Sequence, residues 1–415
     1  MARTLDVYLH GRLAGRLTQD DSGEMTFNYA ESWLNDPAAI PLSQSLPLRK
    51  ERYTRRACRG YFAGVLPEGD NRALIAKNMG ISANNDFSML EQIGGECAGA
   101  VTFIPSGQPF PERNDRYRHL TVSELTNILQ TLPRRPLLAG EDNVRLSLAG
   151  VQNKLAVHVA GSQISIPLGG APSTHILKPA IDRFAGSVIN EALCMRLARA
   201  VGLRTATAEM GSAEGIDYLL VERYDRARDG SGHLERLHQE DFCQALGIVS
   251  ENKYQNEGGP SVSQCFQLVR NASTIPIRDL QALLDGIIFN FLIGNNDAHG
   301  KNFSLLYKGE SPSELQTTLA PFYDMLSTAY YPELSAKMAM KIGGEYFSGK
   351  ISPKHFERLA DETGLGKPMV KRRVRALAQS IVSKLPEVTT EHPVEIGVAA
   401  LIRSQCERTI QQFTE

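Results

Sequence analysis

The chain has 415 residues, of which 42% are hydrophobic and 22% charged, and its formal net charge is −1. Such a composition is typical of an ordinary globular protein, and the length suits two or three domains. The near-neutral charge gives no global reason to expect binding to nucleic acid or to an anionic membrane. The six cysteines form no C-x-x-C pair and the nine histidines no H-E-x-x-H pattern, which argues against disulfides, a zinc site and metalloprotease chemistry. With neither a signal peptide nor about 18 consecutive apolar residues, we expect a cytoplasmic protein without a membrane span.

Residues 1–118 are predicted to form an α+β module. Apolar and polar residues alternate before His10-Gly11 and apolar residues resume after it, which predicts a β-hairpin with a glycine-containing turn. The predicted elements are strands at 5–9, 13–17 and 25–29, a helix at 71–79 and a strand at 100–104. The stretch at 105–118 is rich in proline, glycine and charge, and we expect it to close the module.

Residues 119–143 are predicted to be a short helix followed by a linker. The helix covers 121–132, because Thr121 and Glu124 have the spacing of a capping box. Residues 144–235 are predicted to form a β-rich region with a five-stranded sheet and one helix, as in a kinase small lobe. Its predicted elements are strands at 155–159, 174–177, 205–209 and 216–222, and an amphipathic helix at 187–201.

Residues 236–415 are predicted to be mainly helical. The clearest helix, at 280–292, repeats apolar residues at helical spacing, and Gly294 ends it. Short strands at 303–307 and 316–319 are expected to pair with each other. The final segment, 352–415, is predicted to be helical and contains a basic stretch at 371–375. That stretch could contact DNA phosphates, although a solvated helix face explains it more simply.

The loop after that helix carries the pattern D-x-x-x-x-N, from Asp297 to Asn302. The catalytic loop of protein kinases has the same spacing, and a metal-binding aspartate follows downstream, as Asp324 does here. Phosphoryl transfer needs a carboxylate that accepts or orients a hydroxyl proton, which Asp297 would supply. Asn302 and Asp324 offer hard oxygen ligands suited to Mg²⁺. Each residue alone could be an ordinary loop or turn residue, but the set in this order predicts a kinase.

Further residues could contact phosphates. Lys178 ends an apolar strand, where a lysine can contact the α- and β-phosphates of ATP, and Glu191 on the following helix is placed to pair with it. Lys301 could neutralise charge on the transferred phosphoryl group. For each of these side chains, an ordinary surface charge is the alternative. The small residues of the loop at 145–154 could let backbone N–H groups approach phosphates. This loop lacks both G-x-G-x-x-G and G-K-[ST], so spacing alone makes it a weak signal.

Taken together, these motifs resemble the HipA family of bacterial serine/threonine kinase toxins. The resemblance covers most of the chain, including 64–69 and 94–99 in the N-terminal module. The other segments that carry it are 147–154, the strand ending at Lys178-Pro179, 221–226, 239–244, 296–302 and 321–324.

The resemblance implies an α+β, two-lobed protein-kinase-like fold of HipA type, with an N-terminal β-rich module and a mainly helical C-terminal lobe. It implies ATP and Mg²⁺ as cofactors, Asp297 as the catalytic residue, and Asn302 and Asp324 as metal ligands. Residues 222–224 would be the hinge beside adenine, recognising it mainly through backbone groups. The residues implied to bind ATP are Ala149, Gly150, Val151, Gln152, Asn153, Lys154, Lys178, Glu222, Arg223, Tyr224, His299, Lys301, Asn302, Tyr323 and Asp324. Asn153 is a local departure, since an acidic residue often stands there in the family.

Family members also autophosphorylate a serine that matches Ser147, which ejects the phosphate loop and switches the kinase off. A phosphate adds about −1.5 to −2 charges to a loop suited to anions, so repulsion should disorder it. The resemblance further implies that the chain phosphorylates an aminoacyl-tRNA synthetase, typically the glutamyl enzyme, and thereby arrests growth. It also implies a HipB-like helix-turn-helix antitoxin that binds operator DNA, with the toxin as co-repressor.

Two alternatives stay open. A small-molecule phosphotransferase, such as an antibiotic kinase, uses a similar Asp/Asn/Asp set, although the N-terminal module and the Ser147 loop argue against it. The other alternative is a catalytically silent, DNA-bound co-repressor that works by binding the antitoxin. The intact set of Asp297, Asn302 and Asp324, together with Lys178, argues against a loss of activity.

Overall fold

The computed structural model describes residues 2–111, 116–309 and 311–413. The parts of the predicted segments at residues 1, 112–115, 310 and 414–415 lie outside this described range. The strands are β1 (Arg3–Leu9), β2 (Arg12–Gln19), β3 (Met25–Tyr29), β4 (Tyr53–Thr54), β5 (Val101–Pro105), β6 (Tyr117–His119), β7 (Leu155–Ala160), β8 (Gln163–Pro167), β9 (His175–Pro179), β10 (Ala208–Ala213), β11 (Ile216–Glu222), β12 (Arg226–Arg228), β13 (Leu234–Arg236), β14 (His238–Asp241), β15 (Ser304–Lys308), β16 (Gln316–Leu319), β17 (Lys337–Ile342) and β18 (Glu345–Phe347). The helices are α1 (Glu31–Leu34), α2 (Arg55–Phe62), α3 (Gly69–Met79), α4 (Asp86–Ile93), α5 (Val122–Thr131), α6 (Ser187–Ala200), α7 (Phe242–Ala245), α8 (Val262–Ala272), α9 (Pro276–Ile293), α10 (Pro353–Thr363), α11 (Lys367–Val388) and α12 (Pro393–Gln412).

The chain divides into two compact units, each built from separate segments. The first unit contains Met1–Pro179, Gly211–Glu251 and Leu305–Thr317, and the second contains Ala180–Met210, Asn252–Ser304 and Thr318–Glu415. The boundaries predicted after residues 118, 143 and 235 divide the chain differently, and they stay predictions.

The first sheet of the first unit has the strand order β4-β3-β2-β1-β5. The predicted hairpin is confirmed, since β1 and β2 pair antiparallel around a turn in which His10 and Gly11 have φ values of 50° and 74°. Positive φ at both central residues is the geometry that matches the twist of paired strands. On one face of β1, Leu5, Val7 and Leu9 are fully buried, as the alternation of the sequence predicts.

The second sheet has the order β10-β11-β9-β7-β8-β6, so the prediction of five strands is wrong. Strand β8 was not among the predicted strands, and β6, which was not predicted either, pairs antiparallel with it. The three residues of β6, Tyr117–His119, are too few for an alternating pattern, and the strand forms because of its neighbour in the sheet. The strand predicted at 205–209 begins at Ala208, whereas the one predicted at 216–222 is confirmed.

A third sheet has the order β14-β15-β16. The strands predicted at 303–307 and 316–319 correspond to β15 and β16, and their expected pairing is confirmed. The third sheet also adds an unpredicted strand at the start of the segment 236–415, which was predicted to be mainly helical: β14 covers His238–Asp241 before the short helix α7. The capping box that starts α7 is complete, with Asp241 accepting from the Gln244 N–H and Gln244 accepting from the Asp241 N–H.

A buried ion network joins the N-terminal module to the strand region within the first unit. Glu96 lies between Arg223, Arg226 and Arg236, with nitrogen–oxygen distances of 3.3, 2.6 and 3.4 Å. Asp225 pairs with Arg223 at 2.7 Å and with Arg226 at 2.9 Å. Burial alone would raise the pKa of Glu96, but the three guanidinium groups lower it to about 2. The buried charges therefore compensate one another, as a stable interior requires.

The second unit is built mainly from helices around α9. The predicted helix is confirmed over Pro276–Ile293, and its residues from Leu283 to Ile293 are buried. The helical prediction for the final segment is confirmed by α10, α11 and α12. Among the described helices, none combines the length and the apolar character needed to span a membrane.

Two cations of the basic stretch on α11 are already paired. Lys371 lies 3.1 Å from Glu357, and Arg373 makes a bidentate contact with Asp285 of α9. Arg372 is exposed. These pairs neutralise much of the stretch, which favours the interpretation of a structural helix face over a DNA contact.

Candidate active site

The loop that contains Asp297 begins where α9 ends. Gly294 caps the helix with φ 70° and ψ 33°, a left-handed conformation that glycine adopts without strain, so the chain leaves the helix in a sharp turn. The carbonyl of Gly294 accepts a hydrogen bond from the Ala329 N–H at 2.9 Å. The side chain of Thr328 donates to the same carbonyl at 3.1 Å and accepts from the Asn296 N–H at 2.7 Å. Both ends of the turn are therefore held by the segment that follows Asp324.

Two buried asparagines connect this loop to the body of α9. Asn295 donates through Nδ2 to Oδ1 of Asn290 at 2.8 Å, and Asn290 donates to the carbonyl of Gly286 at 2.9 Å. Oδ1 of Asn295 accepts from the backbone N–H of Asp297 at 3.2 Å. Each amide uses both its donor and its acceptor, so this relay fixes the backbone at Asp297. The sequence analysis did not assign a role to either asparagine.

Asp297 is partly exposed, and Oδ1 of its side chain accepts a hydrogen bond from the hydroxyl of Tyr254 at 2.7 Å. The ring of Tyr254 also packs edge-on against His299, with 5.4 Å between ring centroids. Sequence analysis missed Tyr254, because it lies 43 residues before Asp297 and outside the kinase spacing pattern. His299 is buried, and its backbone links the loop by donating to the carbonyl of Asp297 at 2.7 Å.

Asn302 and Asp324, the predicted metal ligands, lie side by side. Nδ2 of Asn302 is 3.4 Å from Oδ2 of Asp324. Asp324 has φ 58°, in the left-handed region that non-glycine residues seldom occupy, although aspartate and asparagine tolerate it best. Such conformations persist only where the surroundings hold them, and they concentrate at functional sites.

The segment around Asp324 is held on both sides of that residue. The hydroxyl of Tyr323 donates to the carbonyl of Lys301 at 2.7 Å and is 2.8 Å from Oγ of Ser304. After Asp324, the backbone of Ser327 exchanges two hydrogen bonds with the side chain of Asn190 on α6, at 2.9 and 3.0 Å. Because these contacts flank the left-handed residue, they account for its conformation.

The same segment is anchored to α9 by Phe322. The ring of Phe322 fills the space above Gly286, where a Cβ atom would lie 2.4 Å from the ring. The Phe322 backbone pairs with the 204–206 segment, donating to the Arg204 carbonyl and accepting from the Ala206 N–H, both at 2.8 Å. A glycine in the middle of α9 is therefore explained by this close approach.

The donor set around Asp324 fits Mg²⁺ bound together with a nucleotide. One carboxylate and one carboxamide provide hard oxygens, and Mg²⁺ commonly takes one or two protein ligands and completes its shell with phosphates and water. Within the described ranges, no group of three or more His, Cys, Asp or Glu side chains could hold a metal alone. The residues thus suit a metal delivered with phosphates rather than a permanent protein-only site.

In the first unit, Lys178 lies on β9 opposite Leu219 of β11 and is only 6% exposed. A lysine with so little exposure is unusual for an ordinary surface charge, so burial argues against the simpler alternative. Glu191 lies on α6 of the second unit and is also buried. Its pairing with Lys178 stays a prediction.

The three predicted hinge residues have different environments. Glu222 is exposed at the end of β11, and the hydroxyl of Tyr224 donates to Oε1 of Gln239 at 2.6 Å. The Arg223 side chain is committed to the buried ion network, and its N–H donates to the Thr174 carbonyl at 2.9 Å. Neither its guanidinium nor its N–H is therefore available to a nucleotide, and the hinge prediction rests on the other backbone groups at 222–224.

The predicted phosphate loop closes on itself. Nζ of Lys154 donates to the carbonyl of Ala149 at 2.7 Å. Gly150 between them has φ 106°, and a Cβ atom there would lie 2.9 Å from that Nζ. Val151 is 56% exposed, and Gln152 is partly exposed. Asn153 has a buried Oδ1 without a hydrogen-bond partner among the described residues. The glycine backbone and the lysine of this loop suit an anion such as a phosphate. The unsatisfied amide oxygen of Asn153 suits a metal ion that accompanies the phosphate.

Ser147 is fully buried at the start of this loop. Its hydroxyl donates to the carbonyl of Val65 at 2.9 Å, and its N–H donates to the carbonyl of Glu96 at 2.9 Å. The N–H of Glu68 donates to the carbonyl of Gly150 at 3.1 Å, so the loop runs along the N-terminal module. Phosphate cannot reach the Ser147 hydroxyl unless this segment moves.

Comparison with known proteins agrees with the geometry. The model of the HipA-like C-terminal domain matches residues 146–386, and that of the HipA N-terminal domain matches residues 5–104. The chain belongs to the HipA family. The Sinorhizobium fredii protein Y4mE is 45% identical to this HipA-family chain over 93% of it and 92% of its own length.

Two further relatives come from Shewanella oneidensis. The serine/threonine-protein kinase toxin HipA of that organism is 29% identical over 93% of this chain and 89% of its own length. A solved structure of Shewanella oneidensis HipA with HipB and operator DNA matches with a TM-score of 0.86 at 27% identity, covering 99% of this chain and 98% of that one. The predicted HipA-type, kinase-like α+β fold is thereby confirmed.

Proposed function

We propose that this HipA-family chain is the toxin of a type II toxin–antitoxin system and acts as an Mg-ATP-dependent serine/threonine protein kinase. The observation that carries the proposal is the arrangement of the second unit: Asp297 on a tightly held loop, with Asn302 and Asp324 adjacent to each other. These are the groups that phosphoryl transfer requires. The kinase and toxin names of the relatives support the same activity.

In this proposal Asp297 orients the hydroxyl of the protein substrate and accepts its proton as that oxygen bonds to the γ-phosphorus of ATP. The bond between the γ-phosphorus and the β–γ bridging oxygen breaks in the same step, and ADP leaves. Asn302 and Asp324 hold Mg²⁺, which neutralises phosphate charge when bound. Lys178 and the loop at 149–154 bind the phosphates, and Lys301 and His299 complete the set near Asp297. The backbone at 222–224 recognises adenine. Tyr323 supports the neighbouring Asp324 through the contacts of its hydroxyl with the Lys301 carbonyl and the Ser304 hydroxyl.

We propose that autophosphorylation of Ser147 switches the kinase off. The hydroxyl has no exposed surface in the observed loop conformation. A phosphate there would be placed against the carbonyl of Val65, which repels an anion. The loop at 149–154 would then have to leave its position, and the phosphate-binding groups would be lost.

The proposed partners follow from the relatives. Because the Shewanella oneidensis protein was solved with HipB and operator DNA, we propose a HipB-like helix-turn-helix antitoxin for this chain, with DNA bound through that complex and the toxin as co-repressor. We further propose an aminoacyl-tRNA synthetase, with the glutamyl enzyme first, as the substrate whose phosphorylation stops translation and arrests growth.

Mass spectrometry after incubation with Mg-ATP tests the activity. The wild-type chain is expected to gain about 80 Da, one phosphoryl group, on Ser147. Asp297→Gln is expected to gain none while it still binds ATP and keeps its fold. Asp361→Gln, at an exposed position paired with Lys367, is the matched control and should behave as the wild type.

Other outcomes separate the alternatives. Equal activity in Asp297→Gln would contradict the catalytic assignment. Bound nucleotide without phosphate on any protein would favour the silent co-repressor, whereas phosphate on a small molecule alone would favour the phosphotransferase.

A further inference from the structure

The segment at 252–259 brings Tyr254 to Asp297. The Tyr254 hydroxyl donates to Oδ1 of Asp297 at 2.7 Å, a short distance that is typical of an O–H bond to a carboxylate. Tyrosine is one of the few neutral side chains that can place a hydroxyl so far from its own backbone. None of the kinase motifs in the sequence includes this residue.

The segment is built so that Tyr254 has little freedom. Its backbone carbonyl accepts from the N–H groups of Glu257 and Gly259, both at 2.9 Å. A Cβ atom on Gly259 would lie 2.4 Å from the carbonyl oxygen of Asn252, so only glycine allows the turn. Oε1 of Gln255 accepts from the Lys341 N–H of β17 at 2.7 Å, which fastens the segment to a second element.

The ring of Tyr254 is fixed as well as its backbone. It meets the ring of His299 edge-on, at 5.4 Å and an interplanar angle of 82°. Nζ of Lys253 lies 5.6 Å from the centroid of the same ring. Because the ring is constrained on two sides, its hydroxyl has a fixed position, and forming the hydrogen bond to Asp297 costs little further side-chain entropy.

We infer that Tyr254 is a positioning residue for the reaction and acts through Asp297. The inference rests on the proposed function, in which Asp297 orients the attacking hydroxyl. A carboxylate has about four acceptor positions, so one hydrogen bond from Tyr254 does not use up the capacity of Asp297 to accept the proton of the substrate. The donated hydrogen bond fixes the rotamer of Asp297.

The test compares Tyr254→Phe with Tyr331→Phe. The first variant keeps the ring against His299 and removes only the hydroxyl. The second also removes one partly buried hydroxyl of the same unit, which donates to the carbonyl of Ala185 at 3.3 Å. Phosphate incorporation into the chain is measured by mass spectrometry at one protein concentration over a range of Mg-ATP concentrations.

The maximal rate of Tyr254→Phe is expected to fall by about 10- to 100-fold, the range for a hydrogen bond to a charged group. The ATP concentration that gives half the maximal rate should stay within about twofold of wild type, because the hydrogen bond that is removed goes to Asp297, which is not one of the proposed ATP-binding residues. Melting temperature should change no more than in Tyr331→Phe. A merely structural role would instead move the melting temperature without this separation of rate from ATP dependence.

Three results would overturn the inference. Wild-type rates in Tyr254→Phe would show that Asp297 needs no such support. A faster rate would show that the Tyr254 hydroxyl competes with the substrate for Asp297. An equal loss in Tyr331→Phe would assign the effect to stability. Failure of the proposed function looks different, since Asp297→Gln would then keep the wild-type rate whatever Tyr254→Phe does.

Discussion

Nδ2 of Asn302 lies 3.4 Å from Oδ2 of Asp324, although 22 residues separate them in the chain. The two side chains that are proposed to bind Mg²⁺ are therefore neighbours in the folded second unit. Two features maintain this relationship: the bonds of Tyr323 to Lys301 and Ser304, and the left-handed backbone of Asp324. The fold of the second unit therefore holds the two proposed metal ligands beside each other.

Asp324→Asn is expected to lower the maximal rate of phosphate incorporation by about 100-fold or more, because the metal loses a charged ligand. Asparagine tolerates left-handed backbone and has the same size, so the fold should be unchanged. The measurement is a Mg²⁺ titration of the rate at fixed ATP, and a higher half-saturating Mg²⁺ concentration is expected. Asp361→Asn serves as control. An unchanged titration would remove Asp324 from the proposed metal ligands.

Ser147→Ala is expected to separate activity from self-inactivation. Wild type should lose protein kinase activity toward glutamyl-tRNA synthetase, the proposed substrate, during incubation with Mg-ATP as Ser147 becomes phosphorylated, whereas the variant should stay active. Loss of the hydrogen bond to Val65 should cost only about 1 kcal/mol of stability. Ser165→Ala, which removes another buried hydroxyl of the first unit, should inactivate as wild type does. Activity that persists in fully phosphorylated wild type would contradict the switch.

Local sequence pattern was enough for the elements with strong periodicity. The alternation around His10-Gly11 and the helical spacing of apolar residues through α9 are properties of the local sequence, so the hairpin and the helix could be predicted without their partners. The strand β6 and the displaced start of β10 were not predictable in this way. Their hydrogen bonds depend on which strand lies beside them, and a single sequence does not state that.

The residues of the candidate site likewise differ in whether the local sequence is enough to predict them. Asp297, Asn302 and Asp324 could be found because the spacing of kinase motifs is a property of the chain itself. Tyr254 could not, since only the folded second unit brings its hydroxyl to Asp297. Likewise, Arg223 lies in a segment that was assigned to the hinge, and only the structure shows that its side chain belongs to the buried network.

Glu96→Gln is expected to destabilise the protein by about 3 to 5 kcal/mol, because it leaves the buried side chains of Arg223 and Arg226 and the partly buried side chain of Arg236 with one carboxylate fewer. Urea denaturation measures the change. Glu91→Gln is the control, since its pair with Arg3 is partly exposed and should contribute less than about 1 kcal/mol. Similar losses in the two variants would show that burial of the network does not set its importance.

The raised pKa of Glu240 predicts that stability falls as the pH rises. The lowered pKa of Glu96 has the opposite effect on stability. Burial raises the pKa of Glu240 to about 7, although Ser43, Tyr307 and the Gln44 N–H donate hydrogen bonds to it. The folded state therefore holds this proton more tightly than the unfolded chain. The resulting stabilisation is fully present below about pH 4.5 and is lost as the pH rises through about 7.

Glu240→Gln should remove this dependence, because the amide reproduces the neutral acid: its oxygen can accept from Gln44 and Tyr307, and its nitrogen can donate to Ser43. Between about pH 5 and about pH 8, wild type should lose about 2 to 3 kcal/mol relative to the variant in urea denaturation. Taking the difference cancels groups common to both proteins, such as His238, whose pKa burial lowers to about 3. Glu235→Gln, at an exposed position, should keep the wild-type dependence. Parallel curves for wild type and Glu240→Gln would show that the hydrogen bonds of Glu240 fully offset its burial.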